Sequence, residues 1–177
     1  QRSITLINTD KRNDIYKLNS IIREEQWEII PAYASTDPLT DTLGFASDTV
    51  LLTLEDHTLI ATNIVSLEIA DIQIKPYDKT LTLEKNGHLR GFTDALIIAN
   101  KAHEIEADNI VVTSKNDYYG SGYYVYTDME NYEQRILFSE IKLNDKGHTI
   151  ASGTIIEADS FRLSPWFNFE GRVSLDA

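Results

Sequence analysis

Asp108-Asn109-Ile110-Val111-Val112-Thr113 is the stretch that decides the fold: an acid, a small polar residue, a run of β-branched side chains, then Thr. Val, Ile and Thr fit a pleated, half-buried surface better than a helix, so the phrase reads as a turn feeding a strand. The wording recurs as Asp48-Thr49-Val50-Leu51-Leu52-Thr53 and Asp159-Ser160-Phe161-Arg162-Leu163-Ser164, and without the spacer as Asp71-Ile72-Gln73-Ile74. Ala stands directly before the acid at Ala70, Ala107 and Ala158, and one residue further back at Ala46. An Asp at such a corner can accept a backbone N–H two residues on and hold the turn.

Outward from these phrases, strand signals are nearly continuous past residue 40. Val65–Ile74 alternates through Leu67, Ile69, Ile72 and Ile74 around an expected bulge at Ala70-Asp71. Lys85-Asn86-Gly87 sits between Thr80–Leu83 and His88–Phe92, and Asn-Gly between alternating runs is a strong hairpin signal because both residues tolerate positive φ. Asp128-Met129-Glu130-Asn131 and Asn144-Asp145-Lys146-Gly147 read as two more hairpin turns. Separate strands are expected at His103–Ile105, Ile110–Val112, Tyr123–Tyr126 and Arg135–Leu143, and the chain closes through Thr149–Ile156, Ser160–Leu163 and Phe167–Leu175.

The expected fold is therefore all-β in the main, an antiparallel sandwich or roll with hairpins. A parallel β-helix or solenoid is the alternative, since stacked coils would align the Asp corners. Against it, the corner spacings of 23, 37 and 51 residues are unequal. Residues 1–38 read as a separate N-terminal segment with a short strand at Ser3–Ile7. It also holds one short helix, capped at Asn13 or Asp14, with Ile15, Leu18 and Ile22 at helical spacing. Residues 39–177 form the β domain, expected to be a fragment of a longer chain.

Charge narrows the partners. A net charge of −12 repels nucleic-acid phosphates and anionic lipid, and no apolar run is long enough to span a bilayer. There is no Cys, so thiolate nucleophiles, disulfides and Cys-based metal sites are excluded. No cofactor is expected. The acidic balance suits cations such as Ca²⁺, and Asp128, Glu130 and Asn131 supply hard oxygens in one turn without matching the EF-hand pattern.

Candidates for chemistry are few. His57, His88, His103 and His148 lie too far apart for a local metal-binding motif. Gly120-Ser121-Gly122 lacks the spacing of a nucleophile elbow and reads as a bend between Tyr-rich strands. Acid pairs occur at Glu68 and Asp71, Glu106 and Asp108, and Glu157 and Asp159. Their recurrence at similar corners points to turn-holding rather than glycoside hydrolysis.

The tyrosines are the more telling signal. Tyr118, Tyr119, Tyr123, Tyr124, Tyr126 and Tyr132 crowd one stretch, and Trp166 follows Pro165 further on. On a strand, Tyr124 and Tyr126 share a face and Tyr123 takes the other. Rings packed across strands would make this a structural feature. A coplanar exposed row would stack on sugar rings or anchor a protein. Tyr118, Tyr119, Tyr123, Tyr124, Tyr126 and Trp166 are the candidate ligand-binding residues.

Four wordings carry a resemblance. They are Tyr119-Gly120-Ser121-Gly122-Tyr123-Tyr124-Val125-Tyr126-Thr127-Asp128, Ile136-Leu137-Phe138-Ser139-Glu140-Ile141, Ala151-Ser152-Gly153-Thr154-Ile155, and Phe161-Arg162-Leu163-Ser164-Pro165 with Phe169-Glu170-Gly171. The half of the chain from Ala95 to Ala177 resembles β-rich, repetitive segments of large uncharacterised cell-envelope proteins of Gram-negative gut bacteria. The resemblance implies an envelope, periplasmic or extracellular setting, and no catalytic residue comes with it. The expected function is a non-catalytic structural or interaction module, meeting protein or glycan at the cell surface. Carbohydrate binding through a Tyr-rich face and a β-helix polysaccharide lyase or hydrolase are the alternatives.

Overall fold

The computed structural model describes residues 3–7, 32–34, 44–53, 56–85, 88–114 and 116–177. The expected helix from Asn13 or Asp14 lies outside the described residues, as does the Asn86-Gly87 turn itself. The flanks of that turn do pair: Leu83 and Leu89 form an antiparallel bridge, and the Glu84 N–H donates to the His88 carbonyl at 2.8 Å.

The architecture is all-β and antiparallel. A four-stranded sheet runs in the order β1 (Ser3–Ile7), β4 (Thr49–Thr53), β5 (Thr58–Thr62), β8 (Thr80–Leu83). A ten-stranded sheet starts from β16 (Gly171–Asp176), β13 (Thr149–Ile155), β12 (Glu133–Leu143), β11 (Asp117–Thr127) and β10 (His103–Ser114). It continues through β9 (Ala95–Ala99), β7 (Ile72–Pro76), β6 (Leu67–Ile69), β3 (Gly44–Ala46) and β2 (Ala32–Ala34). A small hairpin, β14 (Arg162–Ser164) with β15 (Phe167–Asn168), stands apart.

Every strand pairing among the described residues is antiparallel, so the solenoid reading is set aside, and with it the scaffold a β-helix lyase would use. Between β3 and β9 the chain passes back and forth between the two sheets. Their buried side chains join one core. Strands on both sides of residue 38 share these sheets: β1 pairs with β4 and β2 with β3. No helix among the described residues is long and apolar enough to cross a membrane.

The period-two pattern sets the core. Cross-strand register lines up Phe45, Leu67, Ile74, Ile97, Ile105, Tyr124 and Ile136 in a single row over seven strands. Leu67, Ile74, Ile97 and Ile105 are wholly buried. Each such aliphatic side chain contributes about 2 kcal/mol through burial.

The large sheet curls into a half-barrel. Two irregularities bend it. Asp108 is an extra residue in β10 where the register with β11 shifts between Ala107 and Asn109. Directly alongside, the β11–β12 register shifts between Gly120 and Gly122, so Ser139 and Glu140 together oppose Ser121. Bulges of this kind kink a strand and increase local twist. The glycines here permit close approach: a Cβ on Gly120 would collide with the Asn109 carbonyl, and one on Gly122 with the Glu106 carbonyl.

Three expectations change. Ala70-Asp71 is the two-residue turn of the β6–β7 hairpin, with Ala70 at φ 50°, rather than a bulge inside one strand. His103–Ile105 and Ile110–Val112 are one strand, because the bulge at Asp108 absorbs the break in pattern. Gly120-Ser121-Gly122 lies inside β11 instead of bending between strands.

Candidate functional site

Strand β11 carries the tyrosines, and a carboxylate is anchored at each of its ends. Its even-numbered residues face the core. Tyr118 is fully buried, and Tyr124 and Tyr126 are half-buried against the core. The Tyr124 ring tilts against Phe138 at 5.9 Å and His103 at 6.2 Å, and Tyr126 against Phe161 at 5.3 Å. The odd-numbered residues face outward. Tyr123 lies under the Arg135 guanidinium, 4.2 Å from its ring centre, and Arg135 also pairs with Glu106 at 2.6 Å. Tyr119 is 53% exposed. The rings are thus divided between two faces, and the even-numbered ones pack across strands instead of forming a coplanar exposed row. Trp166 is on the β14–β15 hairpin, 84% exposed.

At the start of β11, Asp71 acts as a latch. Its carboxylate accepts the Thr149 N–H at 2.6 Å and the Thr149 hydroxyl at 2.8 Å. The Tyr118 hydroxyl, 2.6 Å from Thr149 Oγ1 and 3.3 Å from Asp71 Oδ1, completes the group. Burial pushes the Tyr118 phenol well above its ordinary pKa; the Thr149 hydrogen bond opposes this and the Asp71 charge adds to it.

The contact defines the curl. Asp71 ends the β6–β7 turn and Thr149 opens β13, with β9, β10, β11 and β12 between β7 and β13 in the sheet. In a flat sheet those strands would stand about 24 Å apart at ~4.8 Å per step. A direct hydrogen bond requires the sheet to bring its two sides together at this end.

At the far end of β11, Asp128 acts as a clamp. Its side chain is inaccessible, with Oδ1 accepting the Glu130 N–H at 2.8 Å and the Tyr132 N–H at 3.0 Å. Oδ2 accepts Arg162 Nη2 at 2.7 Å. Burial alone would raise the Asp128 pKa, but the two backbone N–H groups and the Arg162 guanidinium hold it below the usual carboxylate range. Arg162 also lies 4.4 Å from the Tyr132 ring centre, while its buried Nε has no partner.

Around this ion pair the β14–β15 hairpin is fastened to the sheet. Gln134 donates to the Arg162 carbonyl at 2.6 Å and accepts the Arg162 N–H at 2.7 Å, and the Tyr126 hydroxyl donates to the Leu163 carbonyl at 2.8 Å. In the turn whose Asp128, Glu130 and Asn131 offer oxygens for Ca²⁺, the Arg162 guanidinium stands 2.7 Å from Asp128 and 3.7 Å from Glu130. Among the described residues no three His, Asp or Glu side chains are grouped to hold a metal ion.

The acid pairs are equally committed. Glu68 and Asp71 border an open cleft of about 560 Å³ together with Gln73, Ile98, Asn100 and Lys101, yet the Asp71 carboxylate is spent on Thr149 and Tyr118. Glu106 is paired with Arg135 while Asp108 forms the bulge. Asp159 accepts the Ile156 N–H at 2.8 Å and closes the short 3₁₀ turn Glu157–Asp159. Turn-holding from an Asp or Asn two residues upstream does occur, at Asp56, Asp78, Asp128 and Asn144. None of these is in the recurring phrase.

Sequence reasoning missed Thr149, Gln134 and Arg162. Their partners are far away in sequence, and nothing local marks them. No protein-family model, curated protein or solved structure matches the chain.

Proposed function

We propose that this chain is a non-catalytic structural or interaction module of a secreted or envelope-associated protein. The observation that carries the reading is the use of its chemistry-bearing groups. Asp71 and Tyr118 are committed to Thr149, and Asp128 to Arg162, by hydrogen bonds that hold the sheet and its hairpin, and none of the three is left without a partner. The resemblance of Ala95–Ala177 to envelope proteins supports the setting. The test is incubation with a panel of polysaccharides and chromogenic glycosides. The expected result is no product above background. Product formation that Asp71→Asn abolishes while the fold survives would overturn the reading.

A carbohydrate-binding role is the second reading, and it moves from Tyr124 and Tyr126 to the hairpin. Trp166 and Phe167 are 84% and 68% exposed at the tip of an element braced by Arg162 and Gln134. A rigid exposed aromatic suits stacking on a sugar ring. On a glycan array, retention lost in Trp166→Ala and kept in Tyr119→Ala supports this reading; no retention of the unaltered chain removes it.

A further inference from the structure

The large sheet ends in an edge that matches itself. Strand β16 pairs with β13 through all six of its residues and has no strand on its other side among the described residues. The Ala177 N–H donates to the Thr149 carbonyl at 2.9 Å, which fixes the alternation. Residues 171, 173, 175 and 177 turn their backbone groups towards β13, so Arg172, Ser174 and Asp176 aim theirs outward. Neither Pro nor bulge blunts this edge.

We propose that β16 pairs antiparallel with β16 of a second copy of this chain, about a twofold axis at Ser174. In that register every outward N–H and C=O of the strand finds a partner. Ser174 meets Ser174 of the second copy, and Arg172 meets Asp176 in both directions. All three of these side chains are exposed and lie on one face, so opposite charges stand directly across from each other. On the inner face Val173, half-buried at present, meets Leu175 of the second copy and is covered by it. Shifting the axis by one residue in either direction loses hydrogen bonds and separates Arg from Asp. This self-complementarity selects a second copy over an unrelated strand and gives a closed, twofold assembly instead of a fibre.

The proposal goes beyond the module reading and does not depend on whether the hairpin binds glycan. The test is sedimentation over a concentration series. The expected result is apparent mass rising towards twice that of one chain. Arg172→Asp or Asp176→Arg alone should weaken the dimer about tenfold or more, because like charges then face each other in both symmetry-related pairs. The double exchange, Arg172→Asp with Asp176→Arg, should restore it. Thermal melts of each variant separate dimer loss from local repulsion between residue 172 and Glu140, whose anion Lys142 chiefly stabilises, with a smaller part from Arg172.

Ser174→Cys gives a second, independent reading, since the chain has no other thiol. Paired Cα atoms about 5.5 Å apart allow a disulfide, so mild oxidation should cross-link Ser174→Cys quickly and Asp145→Cys, in the exposed β12–β13 turn, slowly. A chain monomeric at every concentration overturns the proposal. So does equal cross-linking of the two cysteine variants, or slow amide exchange at Ser174 and Asp176 in the monomer, which would mean the chain covers its own edge.

Discussion

The two ends of β11 use the same residue type for different work. At the Tyr118 end, Asp71 accepts neutral donors from residues far away in sequence and joins strands that the sheet order keeps apart. At the Thr127 end, Asp128 accepts two local N–H groups and one guanidinium, and fastens a hairpin to the sheet rim. The first contact shapes the whole sheet; the second holds one appendage. An anchored carboxylate therefore has consequences set by what its donors belong to, beyond the number of its hydrogen bonds.

That difference gives a ranking. Asp71→Ala leaves the buried Thr149 N–H without an acceptor and frees the two sides of the half-barrel. We expect about 3 kcal/mol of lost global stability, read from urea unfolding. Gly122→Ala attacks the curl from the middle, forcing a Cβ against the backbone of β10, and should cost about 2 kcal/mol in the same measurement. Equal effects from Asp71→Ala and from an exposed turn substitution such as Asp145→Ala would erase the distinction between latch and rim.

At the other end, Asp128→Ala should act locally. Amide exchange across Arg162–Asn168 should accelerate more than exchange in β9 or β10, while the global midpoint moves less than for Asp71→Ala. Acid and alkali should separate the ends as well. The Asp128 pKa is depressed on folding, so its stabilisation is present above the ordinary carboxylate pKa near 4 and fades as pH falls below it. The Tyr118 pKa is raised, so its contribution is complete below pH 10 and fades as pH rises above that. The hairpin amides should lose protection first in acid, and the Thr149 amide first in alkali; Tyr118→Phe should remove the alkaline loss. The smallest effect belongs to the outer face. Arg135→Ala removes an exposed pair with Glu106 and the contact with Tyr123, and should change stability by no more than about 0.5 kcal/mol.

Fold class was legible because it rests on local signals. The turns at Asp128–Asn131 and Asn144–Gly147 are written in neighbouring residues, and the structure forms those hairpins. The alternation through Leu67, Ile69, Ile72 and Ile74 is equally local and marks strand, but the chain turns at Ala70-Asp71 and divides it between two strands. The recurring Asp phrase misled at Asp108, where the acid is a bulge inside a long strand instead of a corner. Strand propensity cannot distinguish a break from a bulge, since both interrupt the same alternation. The tyrosine faces were readable by parity, but the depth of Tyr124 was not. It depends on the Ile74–Ile97–Ile105 row meeting it, a matter of register among strands far apart in sequence. The latch was invisible for the same reason: residues 71 and 149 meet only once the sheet has curled.

The most direct measurement is a double-mutant cycle on Asp71→Ala and Thr149→Val in urea unfolding. If the half-barrel is closed by this contact, the two losses should fall short of adding by about 1.5 kcal/mol or more. Strictly additive losses would mean that the two residues do not meet in solution, and the latched sheet would have to be abandoned.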